Sequence, residues 1–292
     1  MLQFVEKRYP ALWPWIQLMR LDRPIGTMLL LWPTLWAVWI AGDGSPSFGI
    51  VVVFTLGVFS MRAAGCVIND FADRHIDGSV ERTKDRPLAT GALRSKDALM
   101  LFGALIFLSF LLLLTLNWLT FWYAFGALFL ATLYPFSKRF TYMPQFFLGA
   151  AFAWAIPMAF AAEMEAVPLV AWVLYAAKLV WTIAYDTQYA MCDREDDLRI
   201  GVKSTAILFG DSDIHIIGGL QLMTLLLLCI VGLQAGLHWP WFASIVVAGL
   251  LFLYQQWLTK DRDRWLSFKA FLNNQWVGLV LFVGLLLNYA LY

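Results

Sequence analysis

The chain has 292 residues, of which 61% are hydrophobic and 14% charged, and its formal net charge is +1. Soluble globular chains average roughly 45–50% apolar and about 25% charged residues, so the excess is too large for one buried core. It excludes a soluble enzyme, a secreted disulfide scaffold and a nucleic-acid-binding domain.

At about 20 apolar residues per membrane crossing, the apolar share fills roughly nine spanning helices. Nine stretches separate at Gly, Pro or charge-rich breaks: Ile16 to Ile40, Phe48 to Ile68, Ala98 to Leu116, Leu119 to Phe136, Pro144 to Ala162, Pro168 to Tyr189, Ile214 to Leu233, Pro240 to Leu258 and Ala270 to Leu291. The first is too long for the apolar region of a cleavable signal. Cys66, Cys192 and Cys229 have no metal-type spacing and read as packing residues.

Charge alternates along these elements. The N-terminal segment holds Lys7, Arg8, Arg20 and Arg23, and the region after the second stretch holds Arg62, Arg74, Arg82, Lys84, Arg86, Arg94 and Lys96. Lys138 and Arg139 follow the fourth stretch, Arg194, Arg199 and Lys203 the sixth, and Lys260, Arg262, Arg264 and Lys269 the eighth. These are all but one of the 21 Lys and Arg residues, and the remaining one, Lys178, falls inside the sixth stretch. Cytoplasmic loops retain positive charge. The pattern therefore predicts an all-α integral membrane protein with nine transmembrane helices, its N-terminus cytoplasmic and its C-terminus outside.

Two acidic clusters stand on the same side. After the second stretch the chain reads Asn-Asp-Phe-Ala-Asp-Arg-His-Ile-Asp from Asn69 to Asp77, and Asn69, Asp73 and Asp77 share one face if the helix continues through them. After the sixth, Asp186, Asp193 and Asp197 lie within about 40° of one another on a continuing helix, while Asp196 is turned about 80° away from Asp186. Convergent carboxylates repel unless a cation neutralises them, and oxygen-only ligands suit Mg²⁺ shared with substrate phosphates. Arg82 to Arg94 and Lys138 add cations suited to phosphate. Acids interleaved with bases at a membrane interface describe a magnesium diphosphate site, and the surrounding bilayer helices suggest a polyprenyl diphosphate with its tail between them. For single acidic or basic residues the plain reading is a solvated helix end or a positive-inside anchor, and for Arg139, Lys260, Arg262 and Lys269 it stands.

With these motifs the chain resembles the UbiA-type intramembrane prenyltransferases. The resemblance covers nearly the whole chain, from Met19-Arg-Leu-Asp-Arg-Pro-Ile-Gly26 and Leu31-Trp-Pro-Thr-Leu-Trp36 through NDxxDxxxD at Asn69 to Asp77 and DxxYAxxDxxxD at Asp186 to Asp197. The Asp-Arg-Glu-Asp-Asp stretch and the run Lys203-Ser-Thr-Ala-Ile-Leu-Phe-Gly210 point to the branch acting on 4-hydroxybenzoate. The resemblance implies a single domain of nine helices around a central cavity, in two repeated four-helix halves (16–136 and 144–258) with a ninth helix (270–291) appended. It implies Mg²⁺ held by Asn69, Asp73, Asp77, Asp186, Asp193 and Asp197. Diphosphate would meet Arg82, Lys84, Tyr134, Lys138 and Lys203, and the aromatic acceptor would meet Arg62 and Asn69. The implied setting is the bacterial inner membrane, with the site toward the cytoplasm.

The chemistry expected of such a site is ionisation followed by electrophilic aromatic substitution. Mg²⁺ and the cations Lys138, Arg82 and Lys84 would stabilise the departing diphosphate, and the ring carbon ortho to the 4-hydroxyl would attack the allylic cation. Asp73, Asp193 and Arg62 are the residues expected to carry catalysis, with Asp193 polarising the phenol. A water-poor cavity would prevent capture of the cation by solvent. Lys178, costing at least about 2.5–3.5 kcal/mol at bilayer depth if ionised, is expected to face the bundle interior and to snorkel or bond to another helix. Other readings are a sibling enzyme acting on dihydroxynaphthoate, homogentisate or a porphyrin, and a cation-coupled transporter. The transporter would place its ion site near the midplane on broken helices.

Overall fold

The structure, a computed structural model, describes residues 6–74, 77–79 and 83–292. Among them, eight helices are long and apolar enough to cross a membrane. In chain order the apolar helices are α1 (Ile25–Ala41), α2 (Phe48–Asp73), α3 (Ser95–Leu113), α4 (Trp118–Phe140), α5 (Pro144–Met164), α6 (Leu169–Ile200), α7 (Asp213–Gln234), α8 (Trp239–Thr259) and α9 (Arg264–Leu291). The 17-residue α1 is the shorter ninth. At 1.5 Å per residue it spans about 26 Å, slightly less than a hydrocarbon core of about 30 Å.

The first apolar stretch is not one helix. Trp13–Leu18 forms a short helix of its own, and α1 begins only at Ile25. Arg20 adopts a left-handed φ of 57°, and Pro24 disfavours helical backbone at the residue before it. Helix α5 is interrupted at Trp154, between Ala153 and Ala155. Pro157 offers no N–H to the carbonyl of Ala153 and its ring crowds that carbonyl, which accounts for the break. The indole of Trp154 donates 2.8 Å to the carbonyl of Tyr123 on α4, in the space left beside Gly126.

Helix α6 runs 32 residues, about 48 Å, so its C-terminal turns extend beyond the hydrocarbon core. It stops at Gly201, whose φ of 73° suits glycine, and Val202 N–H bonds back to the Asp197 carbonyl at 3.0 Å.

Two compact units divide the chain. The first comprises Met1–Met28 and Thr55–Thr115. Leu18, Val67 and Ala98 are buried there, with Leu88, Leu93 and Phe102 against them, and the Ser60 and Ser109 hydroxyls meet at 2.7 Å.

The second unit comprises Leu29–Phe54 and Leu116–Tyr292. In it α6 packs against α5, α7 and α9, and α8 against α7 and α9. Side-chain amides link these helices. Trp181 donates to Asn274 (2.8 Å), Asn274 to Gln188 (3.0 Å), Gln188 and Gln221 to Gln255 (3.3 and 2.9 Å), and Gln256 to Gln221 (2.9 Å). In hydrocarbon, where water cannot compensate, such bonds satisfy groups that would otherwise be costly. They tie the rotation of α6 to three neighbours. The many exposed apolar side chains, among them Phe107, Trp122, Phe129, Leu226 and Leu253, fit lipid as solvent rather than water.

Candidate active site

In the first unit, Arg62, Asn69, Asp70 and Asp73 all ride on α2. Arg62 is half-buried, and a Cβ on Gly26 would overlap its guanidinium. Glycine at 26 is therefore what allows Arg62 its position.

The helix does not continue to Asp77. It ends at Asp73, and Asp77 begins a separate short 3-10 turn, Asp77–Ser79. This corrects the expected single face of Asn69, Asp73 and Asp77. The physical reason is the cost of stacking carboxylates at a helix C-terminus, where the backbone dipole is already negative. Arg74 instead closes the helix end, donating to the Phe71 carbonyl at 2.6 Å and lying over the Phe71 ring at 4.4 Å. Asp77 is nevertheless buried, as is Asp73.

Arginines gather the acids of this unit. Arg20 donates to both oxygens of the buried Asp70 at 2.8 Å. Arg86 reaches both oxygens of Asp77 at 3.0 and 2.9 Å and stands 3.0 Å from Asp70. Burial pushes the Asp77 carboxyl above the usual carboxylate range, against the pull of Arg86. Neither Asp70 nor Arg86 was singled out by the sequence pattern. The only signal for Arg86 was its place in a basic run. Of the expected diphosphate contacts, Lys84 is exposed and Arg82 lies outside the described residues.

In the second unit the expected face is present. Asp186, Asp193 and Asp197 lie on one uninterrupted helix, α6. Asp193 is buried, and Asp186 and Asp197 are half-buried. Asp196, read as a bystander, is buried too, and Arg264 donates to it at 2.7 Å while standing 3.8 Å from Asp193. Tyr134 is half-buried near the C-terminal end of α4, the helix that also carries Lys138, and Lys203 lies 5.2 Å from the Tyr142 ring centroid.

Lys178 faces the interior as expected, buried rather than snorkelling, and among the described residues its side-chain hydrogen bond is made within its own helix. Its ammonium donates 2.9 Å to the Tyr185 hydroxyl, seven residues along α6. The rings of Trp181 and Tyr185 lie 4.6 Å from it and that of Phe152 5.7 Å. Aromatic faces supply the attraction that water would otherwise give.

Among the described residues no three His, Cys, Asp or Glu side chains are grouped to hold a metal ion by themselves. Magnesium needs only one or two protein carboxylates when phosphate and water complete its shell. Asp193 and Asp197, one helical turn apart on α6, offer such a hard-oxygen donor set. The residues present fit Mg²⁺ shared with a phosphorylated substrate better than a cage made by protein alone.

The sequence pattern of the UbiA prenyltransferase family matches residues 30–287. A 4-hydroxybenzoate octaprenyltransferase of Alcanivorax borkumensis is 66% identical over 289 residues, covering 99% of this chain and 100% of its own. One from Yersinia pseudotuberculosis is 60% identical over 273 residues, covering 94% and 95%. Among solved structures, a UbiA homolog from Aeropyrum pernix aligns with a TM-score of 0.80 at 22% identity, over 90% of this chain and 97% of its own. A homolog from Archaeoglobus fulgidus bound to GPP and Mg²⁺ aligns with a TM-score of 0.68 at 20% identity, over 93% and 99%.

Proposed function

This chain belongs to the UbiA prenyltransferase family, and from that premise we propose that it transfers a polyprenyl group to the ring carbon ortho to the hydroxyl of 4-hydroxybenzoate, a step of ubiquinone biosynthesis. The observation that carries this reading is the 66% identity to the Alcanivorax enzyme over 99% of the chain. Both relatives are octaprenyltransferases, which makes an eight-unit prenyl donor the natural substrate. The reaction depends on Mg²⁺, which is supported by the oxygen-only donor set and by the Mg²⁺ in the Archaeoglobus homolog.

The residues act as follows. Asn69, Asp73 and Asp77 would be the metal-holding residues of the first aspartate motif, and Asp186, Asp193 and Asp197 those of the second. Bound Mg²⁺ would supply Lewis acidity that draws charge onto the departing diphosphate. Arg82, Lys84, Tyr134, Lys138 and Lys203 bind that diphosphate as its bond to the allylic carbon breaks. Arg62 holds the acceptor carboxylate in a bidentate pair, which turns the ring carbon beside the hydroxyl toward the allylic cation. A new carbon–carbon bond forms, and the ring proton passes to the released diphosphate or to a carboxylate. Asp193 polarises the phenol.

The protein crosses the bacterial inner membrane nine times, N-terminus inside and C-terminus outside, with the site at the cytoplasmic face. The one-sided distribution of Lys and Arg supports this orientation. Its halves, 16–136 and 144–258, repeat one four-helix plan, and the ninth helix is an addition.

Incubating the purified protein with Mg²⁺, octaprenyl diphosphate and a panel of aromatic acids tests the proposal. Mass measurement should find one product, from 4-hydroxybenzoate. A product from dihydroxynaphthoate or homogentisate instead would overturn the acceptor assignment.

A further inference from the structure

Helices α7 and α8 leave a groove between them in the second unit, about 400 Å³ in volume. Two glycines open it. Gly218 of α7 and Gly249 of α8 face the opposite helix, where a Cβ would stand 3.5 Å from the Gln256 amide nitrogen and 3.4 Å from a Leu225 methyl. The lining is otherwise apolar except for two amides, Gln221 and Gln256. Val246 at the deep end is exposed, so the groove opens toward lipid.

Its dimensions select what can enter. Along α8 it runs from Val246 to Gln256, ten residues or about 15 Å, which matches one leaflet of a hydrocarbon core of about 30 Å. A helix of that length, about 10 Å across, fills roughly 1,200 Å³. The space therefore admits a flexible chain and not a helix of a second copy.

Polarity increases toward one end. Gln256, three residues before the end of α8, donates 2.9 Å to Gln221. That bond uses one of the two N–H groups of its amide, and the described residues offer the other no acceptor. Beside hydrocarbon an unanswered donor is costly. One turn farther, helical backbone continues through Lys260, which lies within about 20° of Gly249 around the helix. Lys260 is exposed, with its ammonium 3.8 Å from Asp261 and 5.8 Å from the Trp257 ring centroid.

We propose that this groove binds one phospholipid of the adjoining leaflet. An acyl chain lies between Gly218 and Gly249, a glycerol-ester carbonyl accepts from the Gln256 amide, and the phosphate meets Lys260. Each part of the lipid finds its matching chemistry at its own depth. The chain fills the apolar length, the ester answers the amide where hydrocarbon gives way to headgroups, and the anion pairs with the ammonium beyond. A polyprenyl chain has no ester and would leave the Gln256 N–H unanswered.

Native mass spectrometry of the detergent-purified protein, titrated with phosphatidylglycerol, tests this without any turnover. The parent should bind its first lipid about threefold to tenfold more tightly than the next. Gly249→Leu fills the groove and should abolish that difference, while Leu226→Ala, exposed on α7 outside the groove, should preserve it. Lys260→Gln and Gln256→Leu should each weaken the first site about threefold. An ether-linked phosphatidylglycerol, which lacks the ester carbonyls, should bind the parent more weakly and should not distinguish Gln256→Leu from it. A first site that survives Gly249→Leu, or equal affinity at every step in the parent, would overturn the proposal. Lys260→Gln changes only the surface, so an unaltered first affinity in that variant overturns it even if Gly249→Leu does not fold. Displacement of the first lipid by equimolar octaprenyl diphosphate would make the groove a prenyl site, and a dimer lost in Gly249→Leu would make it an interface between copies. Either result would contradict the phospholipid assignment.

Discussion

Arg62 and Gly26 form a pair in which one residue has a function only because the other has no side chain. Arg62→Ala should raise the KM for 4-hydroxybenzoate about tenfold to a hundredfold, the value of a charge-assisted hydrogen bond, and scarcely change that for the prenyl diphosphate. Gly26→Ala places a methyl where the guanidinium lies. It should raise the same KM while leaving the thermal stability of the detergent-purified protein nearly intact, since a long flexible side chain can shift. An unchanged acceptor KM in both variants would return Arg62 to a membrane anchor. Asp73→Ala and Asp193→Ala should each lower turnover by about a hundredfold or more, and EDTA should reproduce the loss in the parent protein. Full activity of either variant in Mg²⁺ would remove the carboxylates from the mechanism. Asp193 could be read from sequence because acids at helical spacing beyond an apolar run have no packing reason to be there. Arg86 and Arg264 could not, because an arginine in a cytoplasmic loop is already explained by membrane orientation. Only the path of the loop decides which carboxylate it meets.

Periodicity served α6 better than α2. The apolar run of α6 passes without a break into the spacing of Asp186, Asp193 and Asp197, and helix and motif coincide up to Gly201. After α2 the same spacing was misleading, since Asp77 leaves the helix for Arg86. The ion pair with Arg86, 9 residues on, overrode the helical pattern there. The breaks at Arg20 and Trp154 follow Pro24 and Pro157 in their physics, but an apolar run hides them because hydropathy is blind to backbone donors. The amide chain across α6, α7, α8 and α9 was equally hidden. Asn274→Leu would strand the Trp181 N–H and a Gln188 oxygen. It should destabilise the protein by about 1–2 kcal/mol, read as a lower melting temperature in detergent, whereas the lipid-facing Leu253→Ala should change it by less than about 0.5 kcal/mol.

For the whole molecule, orientation is the exposed claim. In a background lacking Cys66, Cys192 and Cys229, single cysteines at Ser95 and Ser212, both exposed, should react with an impermeant thiol reagent from the cytoplasmic side. Cysteines at Ser45 and Ala166 should react from the outside only. Labelling of Ser45 and Ser95 from one face would leave α2 without a crossing and discard the nine-helix orientation. The transfer reaction itself is tested most directly with 4-hydroxybenzoate deuterated at both ring carbons ortho to the hydroxyl, given to the purified protein with Mg²⁺ and octaprenyl diphosphate. The account predicts a product that carries one prenyl group and has lost one deuterium. A prenylated product retaining both deuteriums, formed through an oxygen, or no prenylated product at all, would contradict it.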